Sequence, residues 1–308
     1  MTISVERSVL RLGARGSALS RAQAELVRRA LGGDGVEVVY VTTTGDRRSA
    51  EGLPIEWKGD FTRELDEALR DGRIDLAVHS LKDVPSQVAS DLVLAAVPPR
   101  EDPSDVLVSN GGLTLERLAA GARIGTSSPR RRAQILATRP DLTVVEIRGN
   151  VDTRVRRLRE GRCDALVLAR AGLARLGRLG EIVETLSESV VLPAPGQGAL
   201  AIFARAADTR TREALAALDD PASHREVLAE RRLLAVLEAG CRAPVAARAR
   251  REGSALRLTA AVFSGDGSRS LRETAASEGA PEALGEEVAR RLLARGAAEL
   301  IGEAGGEP

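Results

Sequence analysis

Short apolar runs alternate with amphipathic stretches along the first hundred residues of the chain. Residues 8–15, 36–45 and 74–85 contain runs apolar enough for buried strands, and residues 17–31 and 60–72 repeat apolar side chains at helical spacing. A serine stands where the first helix would begin, and two glycines follow its end. This alternation of strand and helix predicts a mostly parallel, doubly wound sheet.

The same alternation restarts after residue 103, so a second α/β unit is predicted for roughly residues 104–195. A Pro/Gly-rich crossover then leads into another strand. From about residue 221 the pattern changes to a long helix, a hairpin with its turn at "SGDG" and a closing helix over residues 281–301. We therefore predict a third, smaller α+β domain at the C-terminus.

Three domains follow from these patterns. Domain 1 is predicted to comprise residues 1–102 and 198–219, domain 2 residues 103–197, and domain 3 residues 220–308. The two crossings between the α/β domains suggest a hinged pair around a cleft. Because ligands bind at the carboxyl ends of strands in such sheets, the turns that follow the strands are the candidate sites.

Three of these turns combine hydroxyl groups with arginines at a helix start. They contain Arg15 and Ser17; Thr126, Ser127 and Ser128, followed by Arg130 and Arg131; and Arg148 and Arg154. Helix N-termini, hydroxyls and guanidinium groups all favour carboxylate or phosphate. Any one turn could be an ordinary helix cap with solvated arginines. Three at the same predicted edge favour a multiply charged small anion.

A denser set of polar residues ends a buried strand at "HSLKDVP". Alternation predicts Ser80 and Lys82 on one side of the strand, with His79 on the other. Asp83 beside Lys82 could act as an acid, a base or a stabiliser of a cation, or the two could form a simple surface pair. Only two of the 45 basic residues are lysines, which favours a function for Lys82.

Composition excludes several classes of protein. A net charge of +1 and 2% aromatic residues argue against nucleic-acid binding, although the arginines at 130–132 leave that alternative open. No apolar run is long enough for a membrane span, and the N-terminus has no hydrophobic signal core. Two cysteines provide neither a disulfide framework nor a metal cluster. We expect a cytoplasmic enzyme or binding protein without a metal.

The ordered motifs resemble one family closely. They are "HSLKDVP", "EDPSDVLVS", "GTSSPRRRAQ", "TRPDL", "IRGNVDTR", "AGLARLG", "LPAPGQGALAI" and "EAGCRAPV", and together they span most of residues 10–245. In this order they resemble the porphobilinogen deaminase, or hydroxymethylbilane synthase, family. The resemblance implies two periplasmic-binding-protein-like domains around a cleft, plus the α+β domain.

The resemblance also implies a reaction. It is the head-to-tail condensation of four porphobilinogen molecules, with release of ammonia, followed by hydrolysis to hydroxymethylbilane in tetrapyrrole (haem) biosynthesis. The implied enzyme is a transferase, and a monomer that passes its product to the next tetrapyrrole enzyme. Its implied cofactor is a dipyrromethane joined by a thioether to a cysteine, which Cys241 matches.

Site residues are implied in the same way. Asp83 matches the catalytic aspartate, which stabilises positive charge on pyrrole nitrogens and assists proton transfer as ammonia leaves. The residues that match cofactor-binding groups are Lys82, Thr126, Ser127, Ser128, Arg130 and Arg131. Those that match substrate-binding groups are Arg15, Ser17, Gln23, Arg148, Arg154, Arg175 and Gln197. Lys58 and Phe61 match a mobile loop over the cleft.

A few positions depart from the family's usual residues, namely Trp57, Asp60, Pro129, Arg170 and Phe203. For Arg170 an additional anion contact and a solvent-facing position both stay open. The alternative function is that of a two-lobed solute-binding domain, or the effector module of a regulator, that closes on an anion. A binder of that kind does not account for a cysteine brought to the cleft by a third domain.

Overall fold

The computed structural model describes residues 9–50, 58–239 and 243–305, which form 13 strands and ten helices. The strands are β1 Leu10–Arg15, β2 Val36–Val41, β3 Leu76–Ser80, β4 Leu92–Ala96, β5 Asp105–Ser109, β6 Arg123–Gly125, β7 Thr143–Val145, β8 Ala165–Ala169, β9 Glu184–Thr185, β10 Leu200–Arg205, β11 Val245–Glu252, β12 Ala255–Phe263 and β13 Ser270–Ser277. The helices are α1 Ala18–Ala30, α2 Thr44–Ala50, α3 Arg63–Arg70, α4 Pro129–Thr138, α5 Val151–Arg159, α6 Arg170–Arg175, α7 Thr209–Ala216, α8 Pro221–Val236, α9 Pro281–Ala294 and α10 Ala297–Gly305.

The chain divides into two compact units, Met1–Pro99 with Leu200–Pro221, and Arg100–Ala199 with Ala222–Pro308. The first unit contains a five-stranded sheet in the order β2-β1-β3-β10-β4. β1 runs parallel to β2 and β3, whereas β10 runs antiparallel to both β3 and β4. Apolar side chains of β1, β3 and β10 pack with α1 and α7 to form the core of this unit.

The second unit contains another five-stranded sheet, in the order β7-β6-β8-β5-β9. β6 is parallel to β7 and β8, and β5 is antiparallel to β8 and β9. Two separate apolar clusters cover this sheet, because Val106 and Leu107 alternate between them along β5. The sheet therefore presents both faces to packed side chains, as an α/β architecture requires.

The C-terminal part of the second unit is a small α+β domain. An antiparallel sheet, β11-β12-β13, packs one face against α8, α9 and α10. β13 alternates exposed and half-buried residues along its whole length, as an edge strand with one face towards solvent does. A cluster that includes Ala133 of α4, Leu192 and Phe263 joins this domain to the α/β part of the same unit.

These elements confirm the predicted fold class: two five-stranded α/β sheets with a small C-terminal α+β domain. The predicted hairpin is present, with Gly267 at a positive φ of 77° in its turn. The sequence did not predict β9, β11 or α7. The predicted closing helix is divided in two at Gly296, whose φ is 94°. The division of the chain into three domains stays a prediction.

Two local predictions were wrong. The strand predicted to continue to residue 45 ends at Val41, and residues 44–50 form α2 because the carboxylate of Asp46 caps the backbone N–H of Thr43 and accepts from its hydroxyl. The alternation predicted for Lys82 also fails. β3 ends at Ser80, and Leu81–Asp83 form a 3₁₀ turn, so Lys82 and Asp83 are presented by a turn rather than by a strand.

Candidate active site

The end of β1 and the start of α1 hold Arg15 and Ser17 in the first unit. Ser17 caps α1 by accepting a hydrogen bond from the backbone N–H of Ser20, as the sequence predicts. The guanidinium group of Arg15 donates to the carboxylate of Asp46, with 2.5 Å between Nη2 and Oδ1. Burial opposes ionisation of Asp46, but the hydrogen bond and charge of Arg15, together with the hydrogen bonds from Thr43, outweigh it and lower the pKa of the carboxyl.

The ring of Phe61 stacks on the same guanidinium group in a cation–π contact, with 3.9 Å between the Arg15 Cζ and the ring centroid. The close approach of Phe61 to α2 depends on Gly45, where a Cβ would lie 2.4 Å from the ring. Phe61 ends the 3₁₀ turn Lys58–Phe61, and the predicted role of the Lys58 side chain stays a prediction. Trp57 lies outside the described residues.

The end of β3 places a second polar group beside α1. The buried amide of Gln23 donates from Nε2 to the hydroxyl of Ser80 at 2.7 Å. Lys82 and Asp83 follow on the 3₁₀ turn, and both are half-buried. The structure therefore brings Gln23 to the end of the strand that leads directly into the predicted catalytic aspartate.

His79 lies one residue before Ser80, and its side chain packs against an aromatic ring. Its ring is buried and meets Phe203 edge to face, with 6.0 Å between ring centroids. Burial, with a smaller contribution from the charge of Arg15, lowers the pKa of His79 to about 3. His79 is therefore neutral, and its Nε2 has no hydrogen-bond partner among the described residues.

In the second unit, three hydroxyl residues lead from β6 into α4. The side chain of Ser128 accepts from the backbone N–H of Arg131 at 3.4 Å, and Thr126 accepts from the backbone N–H of Ser128 at 3.2 Å. Pro129 is the first helical residue, where its fixed φ suits a helix start. Its departure from the family's usual residue therefore leaves this helix start intact.

Arg130 and Arg131 of α4 are both buried against one carboxylate, that of Asp105. Arg131 donates from Nε and Nη2 to Oδ1 at 2.9 and 2.7 Å, and Nη1 of Arg130 lies 2.7 Å from Oδ2. Burial opposes ionisation of Asp105, but the two arginines outweigh it and lower its pKa to about 2. Two positive charges thus share one negative charge, which leaves a surplus of one positive charge at the start of α4.

The remaining predicted arginines have different surroundings. Arg148 pairs with Glu146, with 2.6 Å between Nη2 and Oε1, and Arg154 donates to the carbonyl of Gly149 at 2.7 Å. Arg175 donates from Nη2 to the carbonyl of Gly198 at 2.6 Å. Burial lowers the pKa of Arg175 to about 10, against a raising effect from the charge of Glu101. Because Arg175 donates to a neutral carbonyl, its positive charge is suited to an anionic ligand.

Arg170 is the first residue of α6 and follows directly after β8, and both alternatives for it stay predictions. Its guanidinium group pairs with Glu101 at 3.1 Å and with Asp102 at 3.4 Å, both within the second unit. Arg170 thus forms ion pairs with two acidic residues just before β5.

Gln197 and its neighbours form a buried polar network that the sequence did not predict. Nε2 of Gln197 donates to the carbonyl of Pro103 at 2.6 Å and to Oδ1 of Asp105 at 3.1 Å. The backbone carbonyl of Gln197 accepts from Arg100, which also pairs with the fully buried Glu230 of α8 at 2.8 Å. Gln197 therefore contacts both Asp105, which pairs with the arginines of α4, and Arg100, which pairs with Glu230 of α8.

Cys241 lies outside the described residues, so its predicted role as the cofactor anchor stays a prediction. Among residues 9–50, 58–239 and 243–305, no three His, Cys, Asp or Glu side chains are grouped to hold a metal ion. Within the same ranges, no helix has both the length and the apolar character that crossing a lipid bilayer requires.

The residues around α4 fit a dipyrromethane. Each of its two pyrrole rings bears an acetate and a propionate, so the group is a multiply charged anion. The start of α4 offers the hydroxyls of Ser127 and Ser128, the positive end of the helix dipole, and the surplus positive charge of Arg130 and Arg131 against Asp105. Donors and charge together match a carboxylate-bearing ligand.

Comparison with known proteins identifies two family models along the chain. One, described as porphobilinogen deaminase, dipyromethane cofactor binding domain, matches residues 10–213, and the other, described as porphobilinogen deaminase, C-terminal domain, matches residues 224–294. A curated porphobilinogen deaminase of Rubrobacter xylanophilus is 53% identical, over 94% of this chain and 96% of that protein. That of Mycobacterium ulcerans is 47% identical, over 97% and 99%.

Solved structures of similar shape include binding proteins. The methionine binding protein MetQ matches with a TM-score of 0.45 and 12% identity, over 71% of this chain and 93% of that one. The periplasmic VFT2 domain of Bordetella pertussis BvgS matches with a TM-score of 0.41 and 17% identity, over 69% and 87%.

Proposed function

We propose that this chain, which belongs to the porphobilinogen deaminase family, anchors its cofactor through Cys241 and uses Asp83 as its catalytic carboxylate. The family's reaction joins four porphobilinogen molecules head to tail, with loss of ammonia, and yields hydroxymethylbilane for tetrapyrrole synthesis. The enzyme is a transferase with a dipyrromethane cofactor. When bound, that cofactor supplies the pyrrole to which the first substrate is joined.

The observation that carries the proposal is the shared carboxylate at the start of α4. Two buried arginines with one buried aspartate leave a positive charge where three hydroxyl residues lead into the helix. Thr126, Ser127 and Ser128, together with Arg130 and Arg131, would hold carboxylates of the cofactor. Lys82 would contribute a further ammonium donor to the same ligand.

The substrate and the growing chain would be bound by a second set of residues: Arg15, Ser17, Gln23, Arg148, Arg154, Arg175 and Gln197. Every porphobilinogen adds an acetate and a propionate, so the demand for positive charge grows with each step. Arg175 supports this assignment because its buried charge is bonded to a carbonyl. Gln23 would act by orienting Ser80, and Phe61 and Lys58 would cover the bound substrate.

Asp83 would stabilise positive charge on the pyrrole nitrogens and assist proton transfer as ammonia leaves. Its position supports that role, because the buried strand β3 fixes the backbone just before it and the 3₁₀ turn presents its half-buried side chain. A fixed carboxylate stabilises a developing cation without reorganising during the reaction. His79, a residue of this strand, is neutral and adds no competing positive charge.

Organisation and cellular setting belong to the same proposal. We propose domains at residues 1–102 with 198–219, 103–197 and 220–308, and a monomer that passes hydroxymethylbilane to the next tetrapyrrole enzyme. We place the enzyme in the cytoplasm, because the anchoring thiol of Cys241 must stay reduced until the thioether forms.

Intact-protein mass spectrometry tests the anchor. Wild-type protein and a Cys163→Ala control should both carry the added mass of a dipyrromethane, whereas Cys241→Ser should not. Cys163 is a matched control because it is fully buried, and burial raises the pKa of its thiol to about 11, so it is unreactive. Retention of the mass in Cys241→Ser would contradict Cys241 as the anchor. Unmodified wild-type protein made with ample porphobilinogen would contradict the covalent cofactor and favour a solute-binding protein.

A further inference from the structure

The buried carboxylate of Asp105 contacts the two arginines of α4, and the proposed function uses it only to balance one of their charges. Asp105 begins β5, and its side chain is fully buried. Its Oδ1 accepts from Nε and Nη2 of Arg131 and from Nε2 of Gln197, and Oδ2 lies 2.7 Å from Nη1 of Arg130. One carboxylate therefore sets the positions of two guanidinium groups at successive residues.

We propose that Asp105 is a positioning residue of the cofactor site, which fixes the guanidinium groups of Arg130 and Arg131 in the orientation that receives the cofactor's carboxylates. The proposal rests on the cofactor-holding role given above to these two arginines. Asp105 acts through them and does not itself touch the ligand.

The remaining hydrogen bonds of the arginines show why a fixed carboxylate matters. Nη1 of Arg131 donates to the carbonyl of Val167 at 3.0 Å, and Nη1 of Arg130 donates to the carbonyl of Leu192 at 2.5 Å. The guanidinium groups are thus held on one side by backbone carbonyls, of β8 for Arg131 and of the segment before β10 for Arg130, and on another by Asp105. A planar group restrained at several nitrogens loses little freedom when a ligand binds its remaining edge.

The charge of Asp105 also explains how two cations can be buried side by side. Without that charge, two guanidinium groups one residue apart would repel each other and lack compensation for their lost hydration. With it, a single surplus positive charge remains. The carboxylate thus makes the site stable when empty and still attractive to an anion.

Asp105 is itself held by a second layer of buried groups. Gln197 donates to it, the carbonyl of Gln197 accepts from Nε of Arg100, and Arg100 pairs with Glu230 of α8. Polar contacts therefore run without a break from α4 to α8, the helix that precedes Cys241 in the sequence. The orientation of the arginines is tied to the helix that leads to the proposed anchor.

The test measures how fast the apoprotein acquires the cofactor. Apoprotein of wild type, Asp105→Asn, Arg131→Ala and Asp164→Asn is mixed with porphobilinogen, and the covalent mass gain is followed by intact-protein mass spectrometry. Asp164 is the matched control: it pairs with Arg123 at 2.9 Å beside the same sheet, but on an exposed surface. Circular dichroism and thermal unfolding report the fold of each protein.

We expect Asp105→Asn to remain folded and to load at least about tenfold more slowly, the loss expected when a binding group is misplaced. Asp164→Asn should load at the wild-type rate. A folded Asp105→Asn that also loads at the wild-type rate, even with a lower melting temperature, would overturn the proposal and leave Asp105 a purely structural residue. If Arg131→Ala loads normally, the cofactor role of the arginines fails instead.

A second variant covers the case in which Asp105→Asn does not fold. Asp105→Glu keeps the negative charge but moves the carboxylate by one methylene. We expect it to fold and to load more slowly than wild type, because the charge is restored and the orientation is not. Loading of folded Asp105→Glu at the wild-type rate would overturn the proposal.

Discussion

In the first unit, the carboxylate of Asp46 accepts hydrogen bonds from the guanidinium group of Arg15, with 2.5 Å between Nη2 and Oδ1. This is the geometry with which an arginine binds the carboxylate of a ligand. If Arg15 binds substrate, a carboxylate of porphobilinogen competes with Asp46 for the same donors. We expect Asp46→Asn to lower KM for porphobilinogen about threefold to tenfold, with little change in kcat. This change in KM corresponds to about 1 kcal/mol of binding free energy. Steady-state kinetics of the loaded enzyme measure both constants.

The matched control for this prediction is Asp91→Asn. Asp91 pairs with Arg70 at 2.6 Å in the same unit, but on the surface. Its KM should equal that of the wild type. A rise in KM for Asp46→Asn would show that Asp46 holds Arg15 ready for substrate rather than competing with it.

Replacement of Asp83 should abolish turnover and leave the fold intact. We expect ammonia release by Asp83→Asn to fall about a thousandfold or more, because the amide provides no negative charge to stabilise a cationic pyrrole. The assay uses only protein whose mass shows the cofactor, so loading and turnover are separated. Asp71→Asn, on the exposed helix end beside Arg73, is the control and should be fully active. Near-normal turnover by loaded Asp83→Asn would refute the catalytic role.

Local sequence was enough to predict the turns of the site. Ser17 and Ser128 cap their helices as predicted, because a cap depends on hydrogen bonds between residues three apart. The strand-to-helix alternation predicted the two α/β sheets for a similar reason, because the spacing of apolar residues and the turn residues are local properties of the sequence.

The partners of the site arginines could not be predicted in this way. Asp46 lies 31 residues from Arg15, and Asp105 lies 26 residues from Arg131, so their pairing depends on strand order and register. The antiparallel position of β10 between β3 and β4 likewise depends on pairing between strands that are distant in the sequence. The one available signal was chemical: an aspartate at the start of an apolar strand, as at Asp105, is costly unless it is paired.

Glu230 should be among the most sensitive positions for stability. It is fully buried on α8 and accepts from Arg100, from the backbone N–H of Gly196 at 2.6 Å and from that of Ala249 at 2.7 Å. Removal of one member of a buried ion pair leaves the other charge uncompensated. We expect Glu230→Ala to lower the free energy of unfolding by about 3–5 kcal/mol in denaturant titrations.

Its control is Glu286→Ala, on α9. Glu286 pairs with Arg232 at 2.5 Å near the surface, where ion pairs contribute little. We expect a loss below about 1 kcal/mol for this variant. Equal losses for the two glutamates would show that burial does not set the energetics of the network around Arg100.

His79 should make the protein sensitive to mild acid. Burial, with a smaller contribution from the charge of Arg15, lowers its pKa in the folded state to about 3, against 6.5 for an ordinary histidine. Between these two values the unfolded chain binds a proton that the folded chain does not. The stability contributed by the neutral ring is therefore complete above about pH 6.5 and is lost as the pH falls towards 3, by about 1.4 kcal/mol per pH unit.

His79→Leu should remove this acid sensitivity. Leucine has similar bulk, cannot be protonated, and leaves no unpartnered nitrogen, so the variant should be at least as stable as wild type at pH 7.5. Unfolding free energies at pH 7.5, 6.0 and 5.0 measure the effect, and His224→Gln, which changes the only other histidine of the chain, is the control. The loss from pH 6.0 to 5.0 should be about 1.2 kcal/mol smaller in His79→Leu than in either wild type or His224→Gln. Parallel pH profiles for all three proteins would show that His79 is accessible to protons in the folded state.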